Sequence, residues 1–149
     1  MSGLNAIPVV VAERDPDPAD WGNALPVLHE VRHGLRRLAE AGETTVIDLH
    51  AMPFGPGDEA RLLAILGQGE VDAHIKVLGP SHVWETAFPG VWLVEHRNTE
   101  DERLTLHIEI SSVPEILRSQ REDIVDAIAR LDARLGPDAG ITRPSPTTA

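Results

Sequence analysis

Apolar residues recur along this chain with two different periods, and the change from one to the other near Val71 divides it. In the first half, Leu28, Val31, Leu35 and Leu38 are spaced by three and four residues, which predicts an amphipathic helix. It should start at Asn23 as N-cap, tolerate Pro26 in its first turn and stop at Gly42. Thr44 to Leu49 is a β-branched strand, and a Pro53-Phe54-Gly55-Pro56-Gly57 loop leads into a short helix from about Asp58 to Leu66. Beyond Val71 the period becomes two. Val71, Ala73, Ile75 and Val77 alternate with Asp72, His74 and Lys76, as Leu104, Leu106, Ile108 and Ile110 do with Thr105, His107 and Glu109. Between these strands, turns at Gly79-Pro80 and Pro89-Gly90 separate a strand over Ser81 to Phe88 from one over Val91 to Arg97. The polar Asn98 to Glu102 stretch is short enough to be a hairpin loop. Ser119 and Glu122 have capping-box spacing ahead of a last helix with the stripe Ile124, Ile128, Leu131 and Leu135, closed by Gly136.

These elements predict an α+β fold: an antiparallel meander sheet of about five strands with helices packed on one face, in the order α-β-α-β-β-β-β-α. The expected organisation is an acidic, Pro-containing lead over residues 1–22, a domain over 23–136 and a flexible Pro/Thr/Ser/Gly-rich tail over 137–149. A length of 149 residues suits one domain with its own core. The chain has no cysteine, so it can form neither a disulfide nor a thiolate-ligated metal or iron–sulfur site of its own. With 24 acidic against 13 basic side chains, its formal net charge of -11 repels phosphate backbones and anionic lipid and favours basic partners; nucleic acid is not expected as a ligand. Met1 to Val11 is apolar but lacks a basic n-region and is broken by Pro8, unlike an export signal. No apolar run approaches the roughly 20 residues that span a bilayer, so no membrane insertion and a cytoplasmic location are expected.

One segment carries an apparent catalytic motif. His29-Glu30-Val31-Arg32-His33 matches HExxH, in which two histidines one helical turn apart ligate zinc and the glutamate serves as base. A helix climbing to Ala41 at about 1.5 Å per residue and a strand returning at about 3.3 Å per residue would bring His50 back towards His29. A small zinc-dependent hydrolase with His29, His33 and His50 as ligands and Glu30 as base is therefore the alternative function. Against it, Arg36 and Ala39 occupy the positions where a metzincin has its glycine and third histidine, and no second helix supplies an obvious glutamate ligand. An exposed or half-buried structural histidine pair is the plainer interpretation. His74, His82, His96 and His107 lie on successive predicted strands and suit a polar sheet face. Gly67-Gln68-Gly69 follows a helix and enters a strand, the reverse of a dinucleotide cradle, and its glycines suit a helix end and a sharp turn. No catalytic constellation and no cofactor are expected.

Aromatic residues are only 3% of the chain, yet Trp84, Phe88 and Trp92 surround one Pro-Gly corner. Several segments here and elsewhere agree with one family: Leu28-His29-Glu30-Val31-Arg32-His33, Val46-Ile47-Asp48-Leu49, Leu66-Gly67-Gln68-Gly69-Glu70-Val71, Glu85-Thr86-Ala87-Phe88-Pro89-Gly90-Val91-Trp92, and Ile108-Glu109-Ile110 with Val113-Pro114. Together they resemble the HupH/HyaF-type hydrogenase expression/formation proteins over most of Asn23 to Leu135, as a short, single-domain member. The resemblance implies a non-catalytic maturation factor or chaperone for an uptake [NiFe]-hydrogenase. Its partner would be the small subunit, an assembly intermediate or another maturation protein while iron–sulfur clusters are installed. Gln68 stands where the family often has glutamate. The candidate partner-binding residues are Glu70, Trp84, Glu85, Phe88, Pro89 and Trp92, with both tryptophans either exposed anchors or core rings.

Overall fold

The computed structural model describes residues 21–137; the acidic lead and the tail expected at the two ends lie almost wholly outside them. The first helix, α1 (Ala24–Ala41), ends on left-handed Gly42, whose N–H bonds the Leu38 carbonyl at 2.9 Å. It is followed by β1 (Thr45–Asp48), a 3-10 turn at Leu49–Ala51 and α2 (Asp58–Leu66). Four strands come next: β2 (Asp72–Ile75), β3 (Ser81–Glu85), β4 (Val91–Arg97) and β5 (Arg103–Ile110). All pairings are antiparallel and the sheet order is β1-β5-β4-β3-β2. This is the expected α+β meander, with β1 added to its far edge. The chain divides into two compact units between Ser112 and Val113. The second holds a 3-10 turn at Glu115–Leu117 and α3 (Arg121–Leu135).

Residues directly opposite one another across a ladder share a sheet face. One row accordingly runs Asp72, Trp84, Leu93, Ile108, Ile47, and the next runs His74, His82, Glu95, Leu106. On the β1-β5-β4 side of this face, Ile47, Leu106, Ile108, Ile110, Val91 and Leu93 pack under Val27 and Val31 of α1 and Leu62 and Leu66 of α2. Gly34 lies on the buried side of α1, and a Cβ there would fall 2.5 Å from Ile110 Cδ1. A small residue lets this helix approach the sheet closely. Glu95, on the same face, is buried but bonded to Arg97 Nη2 at 2.6 Å; Arg103 lies between it and Glu59 of α2, with Nη1 2.6 Å from the Glu59 carboxylate.

The structure departs from the sequence expectations at several termini. Asn23 adopts helical dihedrals and makes no capping bond; its side-chain amide donates instead to Asp58 Oδ2 at 2.9 Å. Asp58 also accepts from Gly55 N–H and from Arg61, so one carboxylate ties the start of α1 to the loop and first turn of α2. These bonds hold the Asp58 pKa below its ordinary value, with the Gly55 N–H contributing most. Ser119 is not the cap of α3; Gln120 holds that position without a side-chain bond. The expected stripe of α3 exists, but Ile124, Ile128, Leu131 and Leu135 are all exposed, and no residue of that helix is buried. The sheet's second face is not simply polar either, because Val83, Trp92 and Val94 are buried on it.

Candidate functional site

Two segments far apart in sequence form one corner at the β3–β4 connection. Gly69 N–H donates to the Glu85 carbonyl at 2.8 Å, Glu85 N–H to Val71 at 2.9 Å and Ala87 N–H to Leu66 at 2.8 Å. The Gly67–Val71 stretch is thereby stitched along Glu85–Ala87, prolonging the β2–β3 ladder. Gly69 is required by space: a Cβ would stand 2.6 Å from the Thr86 carbonyl oxygen and 2.8 Å from Glu85 Oε2. Thr86 is buried and its Oγ1 accepts from Phe88 N–H at 3.1 Å, fixing the chain as it turns. Phe88-Pro89-Gly90-Val91 then closes with Val91 N–H on the Phe88 carbonyl at 3.0 Å. Pro89 in the second position and Gly90 at φ 89° in the third give a type II turn, where glycine carries the positive φ. Gly90 is seated under α1: its Cβ would meet Leu35 and Leu38 at 3.4 Å.

This construction leaves Phe88 46% exposed, with Pro89, Glu70 and Val71 also at the surface and Glu85 half-buried. Trp84 is half-buried, one side of it against the core and the other stacked on His82 at 4.4 Å. Trp92, expected among the contact residues, is only 7% exposed. Its indole Nε1 donates to the Ser111 carbonyl at 3.0 Å, so the ring braces the sheet instead of presenting a surface. The two tryptophans thus resolve differently. Adjacent strand positions point to opposite faces, but even spacing alone does not reveal which faces are covered.

The zinc-hydrolase alternative finds no support. His29, His33 and His50 are exposed, and they do not form a three-ligand group. His29 Nδ1 lies 3.3 Å from Arg32, and Glu30 is paired with Arg37 at 3.0 Å. The strand histidines divide between the two faces. His96 and His107 sit on the second, their rings 5.9 Å apart, with His96 Nδ1 2.7 Å from Ser81 Oγ. Burial, together with His96, pushes the His107 pKa below its ordinary value, while Glu109 and Asp48 oppose the shift. His74 and His82 lie on the first face, stacked at 4.2 Å and both directed at Asp72. The sequence signal for that trio was an Asp-x-His pair of period two before a Gly-Pro turn; the hairpin register that adds His82 is not visible in it.

The α+β scaffold thus presents, at its stitched corner, exposed Phe88 and Pro89 beside the acidic Glu70 and Glu85. Residues 22–136 match the model of the HupH hydrogenase expression protein C-terminal conserved region, and the chain belongs to that family. It is 33% identical over 111 residues to the hydrogenase expression/formation protein HoxQ of Azotobacter vinelandii, covering 73% of this chain and 39% of that protein. With HupH of Rhodobacter capsulatus it shares 30% identity over 139 residues, covering 86% of this chain and 50% of that protein. The solved hydrogenase expression protein HupH from Thiobacillus denitrificans matches with a TM-score of 0.74 at 46% identity, covering 76% of this chain and 95% of that one. The chain thus spans between two fifths and half of the length of these curated relatives, and nearly all of the solved one. Among the described residues no helix is long and apolar enough to cross a membrane.

Proposed function

We propose that this chain is a non-catalytic maturation factor for an uptake [NiFe]-hydrogenase. It works in the cytoplasm, binding the small subunit or an assembly intermediate while iron–sulfur clusters are installed. The observation that carries this reading is the stitching of the two motif segments into one corner, where Phe88 and Pro89 are exposed beside Glu70 and Glu85. Backbone bonds hold this corner in place, so little conformational entropy is lost when a partner docks on it. Phe88 supplies an apolar anchor, and the carboxylates favour a basic client. Trp92 supports the corner from the buried side through its bond to Ser111. A thiol-free carrier also cannot capture iron–sulfur clusters from its client through cysteine.

The test is replacement of the chain, in cells that make the hydrogenase, by a Glu70→Lys, Phe88→Asp form. Both side chains are exposed, so the variant should accumulate folded. Hydrogenase activity and mature small subunit should fall together. Wild-type levels of both with the variant as sole copy would contradict the reading.

A further inference from the structure

We propose that Asp72, His74 and His82 form a binding site for one first-row transition-metal dication of the zinc type. The three come together through strand geometry. Asp72 and His74 are two apart on β2 and so share a face, and the β2–β3 register sets His82 directly opposite His74. The two imidazoles stack with centroids 4.2 Å apart and planes 6° from parallel. Asp72 Oδ1 lies 3.0 Å from His74 Nε2 and 2.9 Å from His82 Nε2. Among the described residues, this is the group of three whose ligand atoms all lie within 4.8 Å of one another.

A tetrahedral ion with bonds of about 2.0–2.1 Å holds its ligand atoms roughly 3.3 Å apart. Both Asp–His distances fall short of that by only a few tenths of an ångström, and rotation of the exposed His74 ring out of its stack on His82 would let both Nε2 lone pairs converge on one ion. Without metal, the ionised carboxylate can only accept, so both Nε2 atoms donate their protons to one oxygen. On binding, each ring takes the Nδ1–H tautomer and turns its Nε2 lone pair to the ion. Two imidazoles and one carboxylate suit Zn²⁺, Ni²⁺, Co²⁺ or Cu²⁺ and disfavour Mg²⁺ and Ca²⁺.

The surroundings fit this chemistry. Trp84 stacks on His82 at 4.4 Å and 29°, which limits that ring's rotation as an outer-shell partner does. Glu95, opposite His82 in the ladder, is engaged by Arg97 and Arg103 and stands as no fourth ligand. Asp72 and His74 are at the surface, with side-chain exposures of 50% and 64%, leaving a coordination position open to water or to an outside ligand. The net charge of -11 raises the local concentration of cations.

The experiment is calorimetric titration of the untagged full chain, stripped with chelator, using Zn²⁺ and in parallel Mg²⁺. One zinc should bind per chain, with no heat from Mg²⁺. His74→Ala and His82→Ala should each weaken binding by about 100-fold and Asp72→Asn by about tenfold, as expected for loss of a direct ligand or of its charge. A His29→Ala, His33→Ala form should bind as the wild type does, which separates this site from the histidine pair on α1. The proposal is overturned if the chain takes up no zinc at millimolar concentration, or if the His74→Ala, His82→Ala double variant binds it unchanged. The altered side chains are exposed, apart from the half-buried His82 on β3, and circular dichroism of each variant checks that folding is retained.

Discussion

Single residues decide whether the corner exists. Gly69 has no room for a side chain, because the Thr86 carbonyl would sit 2.6 Å from any Cβ. Gly69→Ala should therefore destabilise the fold by about 1–3 kcal/mol, the cost of forcing the stitched Gly69 and Thr86 backbones apart, as read from urea melts. Gln68 is exposed and next to it, so Gln68→Ala is the matched control with a change near zero. His107 carries a different dependence. Its folded-state pKa lies below the ordinary 6.5, held down by burial and by His96 despite Asp48 and Glu109. At pH well above 6.5 both folded and unfolded chains keep this ring neutral. As pH falls through 6.5 the unfolded chain takes up the proton first, and this share of stability is lost. The drop in Tm between about pH 7.5 and about pH 5.5 should thus be smaller in His107→Gln than in the wild type.

At the scale of elements, stability is concentrated where the helices meet the sheet. Leu62 of α2 is wholly buried in the core cluster, whereas Ile128 of α3 is 57% exposed. Leu62→Ala should cost about 2–5 kcal/mol in denaturant melts, while Ile128→Gln should change stability by no more than about 0.5 kcal/mol. Most elements were legible in the sequence because local rules govern them. The three-and-four spacing locates α1, the Pro/Gly loop before Asp58 marks the start of α2, and period two with Gly-Pro and Pro-Gly turns locates the meander. What needed the assembled sheet was not legible. Asn23 looked like a cap by residue type, yet Asp58, 35 positions away, claims its amide. Ser119 and Glu122 have the right spacing, but the helix starts at Arg121 and neither is placed to close a capping box. Trp84 and Trp92 looked alike until the strand register put one beside surface histidines and the other on Ser111. The corner itself was half legible: both motif segments were visible, but not the hydrogen bonds that join them.

For the molecule as a whole, the family region from residue 22 to 136 covers parts of both compact units, and the sequence carries a net acidic balance. With a net charge of -11, the chain should bind the proposed basic client faster and more tightly at low ionic strength, with the apolar anchor setting the residual affinity in salt. The exposed apolar-acidic corner is the proposed binding surface. It is tested most directly by measuring the affinity of purified hydrogenase small subunit for the wild-type chain and for Phe88→Asp in the same buffer. The wild type should form a measurable complex and the variant should bind at least about tenfold more weakly, the scale of a lost apolar anchor. Equal affinity for the two folded proteins, or no complex with either, would contradict it.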